Sequence, residues 1–236
     1  MIDHHTHILP GIDDGSSDIE MTERMLAMEK EQGVDLIWAT PHFYAYRRSI
    51  SDFLNRRERS VEAVRELTES GEYPKIAVGA EVYYFPGMSG ADRLEELCVE
   101  KDGERSDILL LEMPFDQWTS EIYRDVDELV RGRGLKVILA HVERYFRFQK
   151  KKDIWQRVLD LPLLLQVNGE SFLQSGKERK FVNKLLKDED RVILGSDAHN
   201  ITDRAPNMRK ALSYIEKKLG QSATDRLRQT SEQLSR

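Results

Sequence analysis

The chain has one cysteine, Cys98, in 236 residues, so an intrachain disulfide is excluded and a reducing compartment suits it. No histidine stands near Cys98, which reads as a packing residue. No apolar run approaches the ~20 residues that a membrane-spanning helix needs. The opening residues carry neither the basic region nor the apolar stretch of a signal peptide. The expectation is a cytoplasmic protein with no membrane insertion. Basic excess is missing too: 36 Lys and Arg face 42 Asp and Glu, a formal net charge of −6. That counts against nucleic acid as a partner, because phosphate backbones favour basic surfaces. A small phosphorylated group held by local arginines or by metal remains open. Repeats, low-complexity segments and domain linkers are also absent. Segments 87–90 and 101–105 are loop-like but too short to divide domains, so residues 1–236 are expected to form one domain.

What is present is alternation. Short aliphatic runs at 1–7, 34–40, 76–82, 108–113, 136–141, 163–167 and 192–195 are separated by longer amphipathic stretches. Nearly continuous apolar runs are the mark of parallel strands buried on both faces, so the pattern predicts a parallel α/β fold. Ser17 and Glu20 have the spacing of a capping box at a helix start. Ser51 or Asp52, and later Ser120, are expected to start further helices, the first of them burying only the stem of Arg57. A helix is predicted over 153–159, another around Asn183, Leu185 and Leu186, and another from Met208 to a stop at Gly220. A polar helix should follow Ser222.

The histidines are few and unevenly placed. Three of the six, His4, His5 and His7, lie within the first strand. A strand has a period of two, so Asp3, His5 and His7 should share one face, where the two histidines can grip one ion, with His4 and Thr6 on the other. Five later apolar runs end on residues of the same kind: His42, Glu81, Glu112, His141, and Asp197 with His199. In a (β/α) barrel the carboxyl ends of the strands converge on one rim, where active sites lie. Asp13-Asp14-Gly15, a turn signal just past the first strand, sets a further carboxylate near that rim. Imidazoles and carboxylates without thiolates suit Mn, Zn or Fe. Nine candidates, His5, His7, Asp14, His42, Glu81, Glu112, His141, Asp197 and His199, exceed what one ion needs, which points to two or three ions sharing ligands. Phe43, Tyr44, Tyr46, Arg47 and Arg48 follow His42 and either border the mouth or form an ordinary loop; Trp118 has the same two readings.

The anchors Met1-Ile2-Asp3-His4-His5-Thr6-His7-Ile8-Leu9-Pro10-Gly11-Ile12-Asp13-Asp14-Gly15, Ala39-Thr40-Pro41-His42, Gly79-Ala80-Glu81, Leu111-Glu112-Met113-Pro114-Phe115-Asp116, His141-Val142-Glu143-Arg144 and Ser196-Asp197-Ala198-His199-Asn200 resemble the PHP (polymerase and histidinol phosphatase) family. Within it they are similar to the bacterial protein-tyrosine phosphatases of capsule and exopolysaccharide operons, the CpsB/YwqE type. The resemblance implies a distorted seven-stranded (β/α) barrel of PHP type with two to three divalent ions, manganese first. It implies one ion on His5, His7, Glu81 and Asp197, a second on Glu81, Glu112 and His141, and a third on Asp14, His42 and His199. It places the phosphate-handling arginines at Arg144 and Arg204, with His199 available to protonate a leaving group. The implied substrate is a phosphotyrosine-containing protein, a bacterial tyrosine kinase with a tyrosine-rich tail. A histidinol-phosphate phosphatase of the same fold, or a non-catalytic phosphotyrosine-binding module, are the alternatives. Oligomeric state is not legible.

Overall fold

A computed structural model of the chain describes residues 1–101 and 103–235. The strands in order are β1 (Ile2–Thr6), β2 (Leu36–Ala39), β3 (His42–Phe43), β4 (Lys75–Val78), β5 (Glu81–Tyr83), β6 (Glu100–Lys101), β7 (Glu104–Arg105), β8 (Ile108–Glu112), β9 (Lys136–Leu139), β10 (Leu164–Asn168) and β11 (Val192–Gly195). All seven apolar runs became strands. Two of them are interrupted, at 40–41 and 79–80, so β2 with β3 and β4 with β5 each make one broken stave.

Parallel pairing runs β1 to β2 to β4, then β3 to β5 to β8 to β9 to β10 to β11. The ring closes at the last seam, where Thr6 bridges Ala198, Asp197 N–H donates to His5 O at 2.8 Å and His7 N–H to Ala198 O at 2.9 Å. The result is the distorted seven-stranded barrel that the resemblance implies. Of the segment 101–105, read as a loop, residue 102 lies outside the described residues, and Lys101, Glu104 and Arg105 belong to β6 and β7, which pair antiparallel with each other and, through β6, with β4.

Alternation sorts the side chains. Trp38, Ala77, Ile108, Leu110, Ile138, Ala140 and Ile193 fill the inside, while Leu109, Leu111, Val137, Leu139, Leu165, Val167 and Leu194 pack outward in the larger cluster. Burying such a side chain fully contributes roughly 1.5–3 kcal/mol. Both faces are dry, which is why the runs read as continuously apolar.

The helices are α1 (Ile19–Glu31), α2 (Ile50–Ala63), α3 (Arg65–Glu69), α4 (Ser120–Asp127), α5 (Asp153–Leu159), α6 (Glu170–Leu173), α7 (Lys177–Asp188), α8 (Met208–Leu219) and α9 (Gln221–Ser235). Three starts differ from expectation. Asp18, not Ser17, caps α1, accepting from Met21 N–H at 2.8 Å. Its anionic oxygen suits the positive end of a helix better than a hydroxyl does. Ser49 caps α2 and Thr119 caps α4, because each is the residue left in extended backbone with its oxygen facing the N–H three positions on. Arg57 buries its whole side chain and not only its stem: Nη1 donates to Gly79 O at 2.9 Å and Nη2 pairs with Glu100. The guanidinium thereby satisfies the carbonyl left open where the β4–β5 stave breaks.

Candidate metal centre

Every one of the nine expected donors lies at the carboxyl rim. Three groups have donor atoms within 4.8 Å of one another: His7, Asp14, His42 and His199; His5, His7 and Glu81; and His42, Glu81 and Glu112. The remaining two lie against them. Asp197 Oδ1 is 3.7 Å from His5 Nε2 and 3.5 Å from His7 Nε2. His141 Nε2 is 2.8 Å from Glu81 Oε1 and 3.6 Å from Glu112 Oε1. The grouping is more interlaced than three separate sets, since His7, His42 and Glu81 each touch two. Glu81 is the hub, with Oε2 also 2.8 Å from His42 Nδ1.

The backbone is bent to deliver these groups. His141 and Asp197 are non-glycine residues at φ of 30° and 54°, in the left-handed region that side chains disfavour. The Asp-Asp-Gly turn lies tight against β1: a Cβ on Gly15 would come within 2.1 Å of His7 O, so only glycine fits there.

Burial and charge set the protonation. Glu81 and Asp197 are held well below the usual carboxylate range: burial opposes this, but the surrounding histidines, His5 foremost, and for Asp197 also Arg144, together outweigh it. Burial also opposes charge on His5 and His42, yet Glu81 beside each raises them to about 9 and about 10. Glu112 is pushed up to about 8 by burial and by Glu81. His141 falls to about 4 through burial and Arg144, and His199 to about 3 through burial and His7.

The donor chemistry fits divalent ions. His7 Nδ1 lies 2.7 Å from Asp13 Oδ2, a carboxylate that only accepts, so Nδ1 carries the proton and Nε2 is bare. That Nε2 stands 3.1 Å from His5 Nε2. While His5 is charged that contact is a hydrogen bond; once His5 gives up the proton, two imidazole lone pairs face one another there, a place suited to a cation. Glu112 Oε2 and His199 Nε2 are buried without a hydrogen-bond partner among the described residues, both on the same rim. A buried polar atom in that condition costs about 1–3 kcal/mol, which metal ligation would remove.

Arg144 and Arg204 flank the cluster, about one-third exposed. Arg144 Nη2 is 2.8 Å from Asp197 Oδ2 and Arg204 Nη2 is 3.0 Å from Asp197 Oδ1. A cleft of about 430 Å³ lined by Asp13, Asp14, His42, Tyr44, Arg47 and Arg48 opens beside them. Tyr44 stacks on His42 at 5.1 Å between ring centres, and Arg47 lies over Tyr44 at 4.8 Å and Tyr46 at 5.5 Å. Two residues offered for the mouth are not there. Phe43 is buried against Phe53, and Trp118 is buried with its Nε1–H donating to Pro114 O. Phe115, which stood in an anchor motif but had not been offered for the mouth, takes that place: 38% exposed, it stacks on His141 at 5.9 Å with the rings 16° apart.

His4 faces away from the donors, its ring edge-on to Trp38 and its nitrogens 3.1 Å from Leu194 O and Ser231 Oγ. Asp3 does not join the His5 and His7 face as strict alternation requires. The register slips within β1 between Asp3 and Thr6, and Asp3 Oδ1 accepts from Ser196 and His5 N–H. Asp13, Gln166, Asn168 and Glu143 also support the rim, unforeseen. Asp13 and Glu143 stood in anchor motifs without a role of their own, and the only signal for Gln166 and Asn168 was a polar residue inside or beside an apolar run. Cys98 is buried far from any donor and its thiol is pushed up to about 12 by burial, as a packing residue requires.

Among known proteins, the tyrosine-protein phosphatase CpsB of Streptococcus pneumoniae is 29% identical over 93% of this chain and 91% of its own. The tyrosine-protein phosphatase YwqE of Bacillus subtilis is 26% identical over 100% and 92%. A crystal structure from the work on YwqE and CpsB, described as metal-dependent tyrosine phosphatases, superposes with a TM-score of 0.84 at 23% identity, over 100% of this chain and 94% of that one. The zinc-bound histidinol phosphate phosphatase of Lactococcus lactis shares the fold more distantly, with a TM-score of 0.57 at 14% identity over 94% and 93%. Residues 1–233 match the family described as capsular polysaccharide synthesis, CpsB/CapC, and the chain belongs to that family.

Proposed function

We propose that this chain is a metal-dependent phosphatase that hydrolyses phosphotyrosine on protein. The observation that carries the reading is the single interlaced rim of nine nitrogen and oxygen donors beside two arginines and an aromatic cleft. His5, His7, Glu81 and Asp197 would hold one ion, Glu81, Glu112 and His141 a second, and Asp14, His42 and His199 a third, with manganese the first choice and zinc or iron able to use the same donors. When bound, such ions neutralise phosphoryl charge and provide a nucleophile at neutral pH.

The protein's own part is positioning. Arg144 and Arg204 each present a planar fork for charge-assisted hydrogen bonds to phosphoryl oxygens. Both reach the Asp197 carboxylate, so they sit within one phosphate's span of it. Tyr44 and Phe115 flank the donors with aromatic faces suited to a phenyl ring. His199 has a second role open to it, as the leaving-group acid, and its geometry speaks against that. Its Nδ1 donates to Asp197 O at 2.9 Å, its Nε2 is left as an acceptor, and its low affinity for a proton leaves none to give at neutral pH. We assign His199 to ligation. Phenolate is a good enough leaving group to depart with little acid catalysis. No thiol stands at the rim, so the route does not pass through a phosphocysteine.

The physiological substrate that the resemblance implies is the tyrosine-rich tail of a bacterial tyrosine kinase governing capsule synthesis, met in the cytoplasm. None of the described helices is long and apolar enough to cross a membrane. The discriminating experiment compares kcat/KM for a phosphotyrosine peptide and for histidinol phosphate on the same manganese-loaded preparation. The reading expects the peptide to be preferred. Preference for histidinol phosphate would replace it with the small-substrate reading that the Lactococcus lactis likeness in fold suggests.

A further inference from the structure

Gln166 lies on β10, buried beneath the donors, and is not itself placed to ligate. Its amide has two possible orientations, and its surroundings permit only one. At one end the His141 backbone N–H, which can only donate, sits 2.6 Å from Gln166 Oε1. At the other, Gln166 Nε2 is 2.8 Å from Asn168 Oδ1. Asn168 is fixed in turn because its Nδ2 is 2.9 Å from Asp197 Oδ2, a carboxylate that only accepts. The two anchors, His141 N–H and the Asp197 carboxylate, are independent and agree. With the amide so fixed, Gln166 Oε1 is the acceptor lying 3.1 Å from His5 Nδ1. His5 must therefore carry hydrogen on Nδ1, so that when it gives up one proton to ligate, the nitrogen left bare is Nε2, which faces His7 Nε2 and Glu81.

We infer that Gln166, locked by Asn168 and Asp197, is the positioning residue that holds His5 in the one tautomer able to bind an ion. Two further features support a dedicated device. Gly195 on β11 runs so close that a Cβ there would meet His5 Cβ at 2.7 Å and Gln166 Nε2 at 2.9 Å, so the strand carries no side chain at the contact. Asn168 is itself pinned, its backbone N–H donating to Glu143 Oε1 at 2.9 Å, the same oxygen that accepts from Ser171 Oγ at 2.7 Å. One line of hydrogen bonds thus joins Glu143 to Asn168, Gln166 and His5, with Asp197 at its branch. His7 has the same arrangement in a different material, a turn carboxylate from Asp13 in place of a strand amide. Partners of this kind are worth about 10–100-fold in metal affinity.

The inference rests on reading His5 as a metal ligand, and the test separates the two. Zinc binding is measured by competition with a chromophoric chelator for wild type, Gln166→Met and Gln166→Glu, with long-range proton–nitrogen NMR of the histidine rings in the zinc-loaded proteins. Methionine keeps length and bulk but removes the acceptor; glutamate keeps the acceptor. The expected result is an affinity loss of about 10–100-fold at one ion in Gln166→Met, with the His5 Nδ1–H signal lost, and most of that affinity and the signal retained in Gln166→Glu. Should Gln166→Met fail to fold, Asn168→Leu unlocks the amide from the other side and should weaken the same ion by a smaller factor. Wild-type affinity and an unchanged ring signal in Gln166→Met would overturn the inference alone. Failure of the wild type to take up zinc would remove the ligand reading and the inference with it.

Discussion

Asp13 and Asp14 are neighbours in one turn and do different work. Asp14 is two-thirds exposed, with Oδ1 3.5 Å from His42 Nε2 and 3.6 Å from His199 Nε2. Asp13 is buried on the His7 side of the turn, where its Oδ2 accepts from His7 Nδ1 and from the His42 backbone N–H at 2.9 Å. Sequence alone pointed to one aspartate of the pair as a ligand but not to the other as its support, since the difference is set by which way the turn rolls. Asp13→Ala should therefore lower metal affinity about 10–100-fold while leaving all nine donors in place, read by manganese titration of activity. Unchanged manganese dependence would contradict the role.

The same side chains make metal uptake a proton-releasing event. His5 and His42 are raised to about 9 and about 10, so in metal-stripped protein both are charged at neutral pH, and Glu112, raised to about 8, is largely neutral. The sign for each follows from a folded value above the unfolded one. The histidines' contribution to stability is complete below about 6.5 and is lost as pH rises through 9 to 10; that of Glu112 is complete below about 4.5 and lost through 8. Ligation needs all three deprotonated. Manganese binding at pH 7 should then release protons and tighten as pH rises, seen as a binding enthalpy that changes with the ionisation enthalpy of the buffer. A buffer-independent enthalpy would contradict it.

At the scale of elements, the strands were legible and their interruptions were not. Continuous apolar runs located all seven staves, because burial on both faces leaves that trace. Nothing local marks the break at 79–80, which depends on Arg57 arriving from α2 to meet Gly79 O. The slip in β1 is likewise a tertiary matter, set by Ser196 N–H bonding Asp3. The segment after β3 was half legible: Tyr44, Arg47 and Arg48 do edge the cleft, with Tyr46 against Tyr44 and Arg47, but Phe43 alternates inward to the core. Phe115, after β8, supplies the opposite aromatic face. If these two rings select an aryl group, Tyr44→Ala and Phe115→Ala should each cost more in kcat/KM on a phosphotyrosine peptide than on an alkyl phosphate, with stacking on the order of 0.5–1.5 kcal/mol, or about 2–13-fold. Equal losses on both substrates would show that the rings only shape the metal rim.

For the whole molecule, a closed ring explains how donors from residue 5 to residue 199 meet at one rim. Six of the seven staves contribute donors, β10 carries Gln166 and Asn168 beneath them, and closure at Thr6 and Ala198 brings the first and last staves together. The sequence therefore carried the donor set, because every donor but Asp14 lies in a strand or within a few residues of its carboxyl end, while the hydrogen bonds that orient the donors became visible only in the folded barrel. The most direct measurement is turnover of a phosphotyrosine peptide by metal-stripped protein before and after manganese is restored, repeated with the His5→Ala/His7→Ala double variant. The account predicts no turnover without metal, recovery with it, and no recovery in the double variant. Turnover without metal, or activity that survives loss of both histidines, would contradict it.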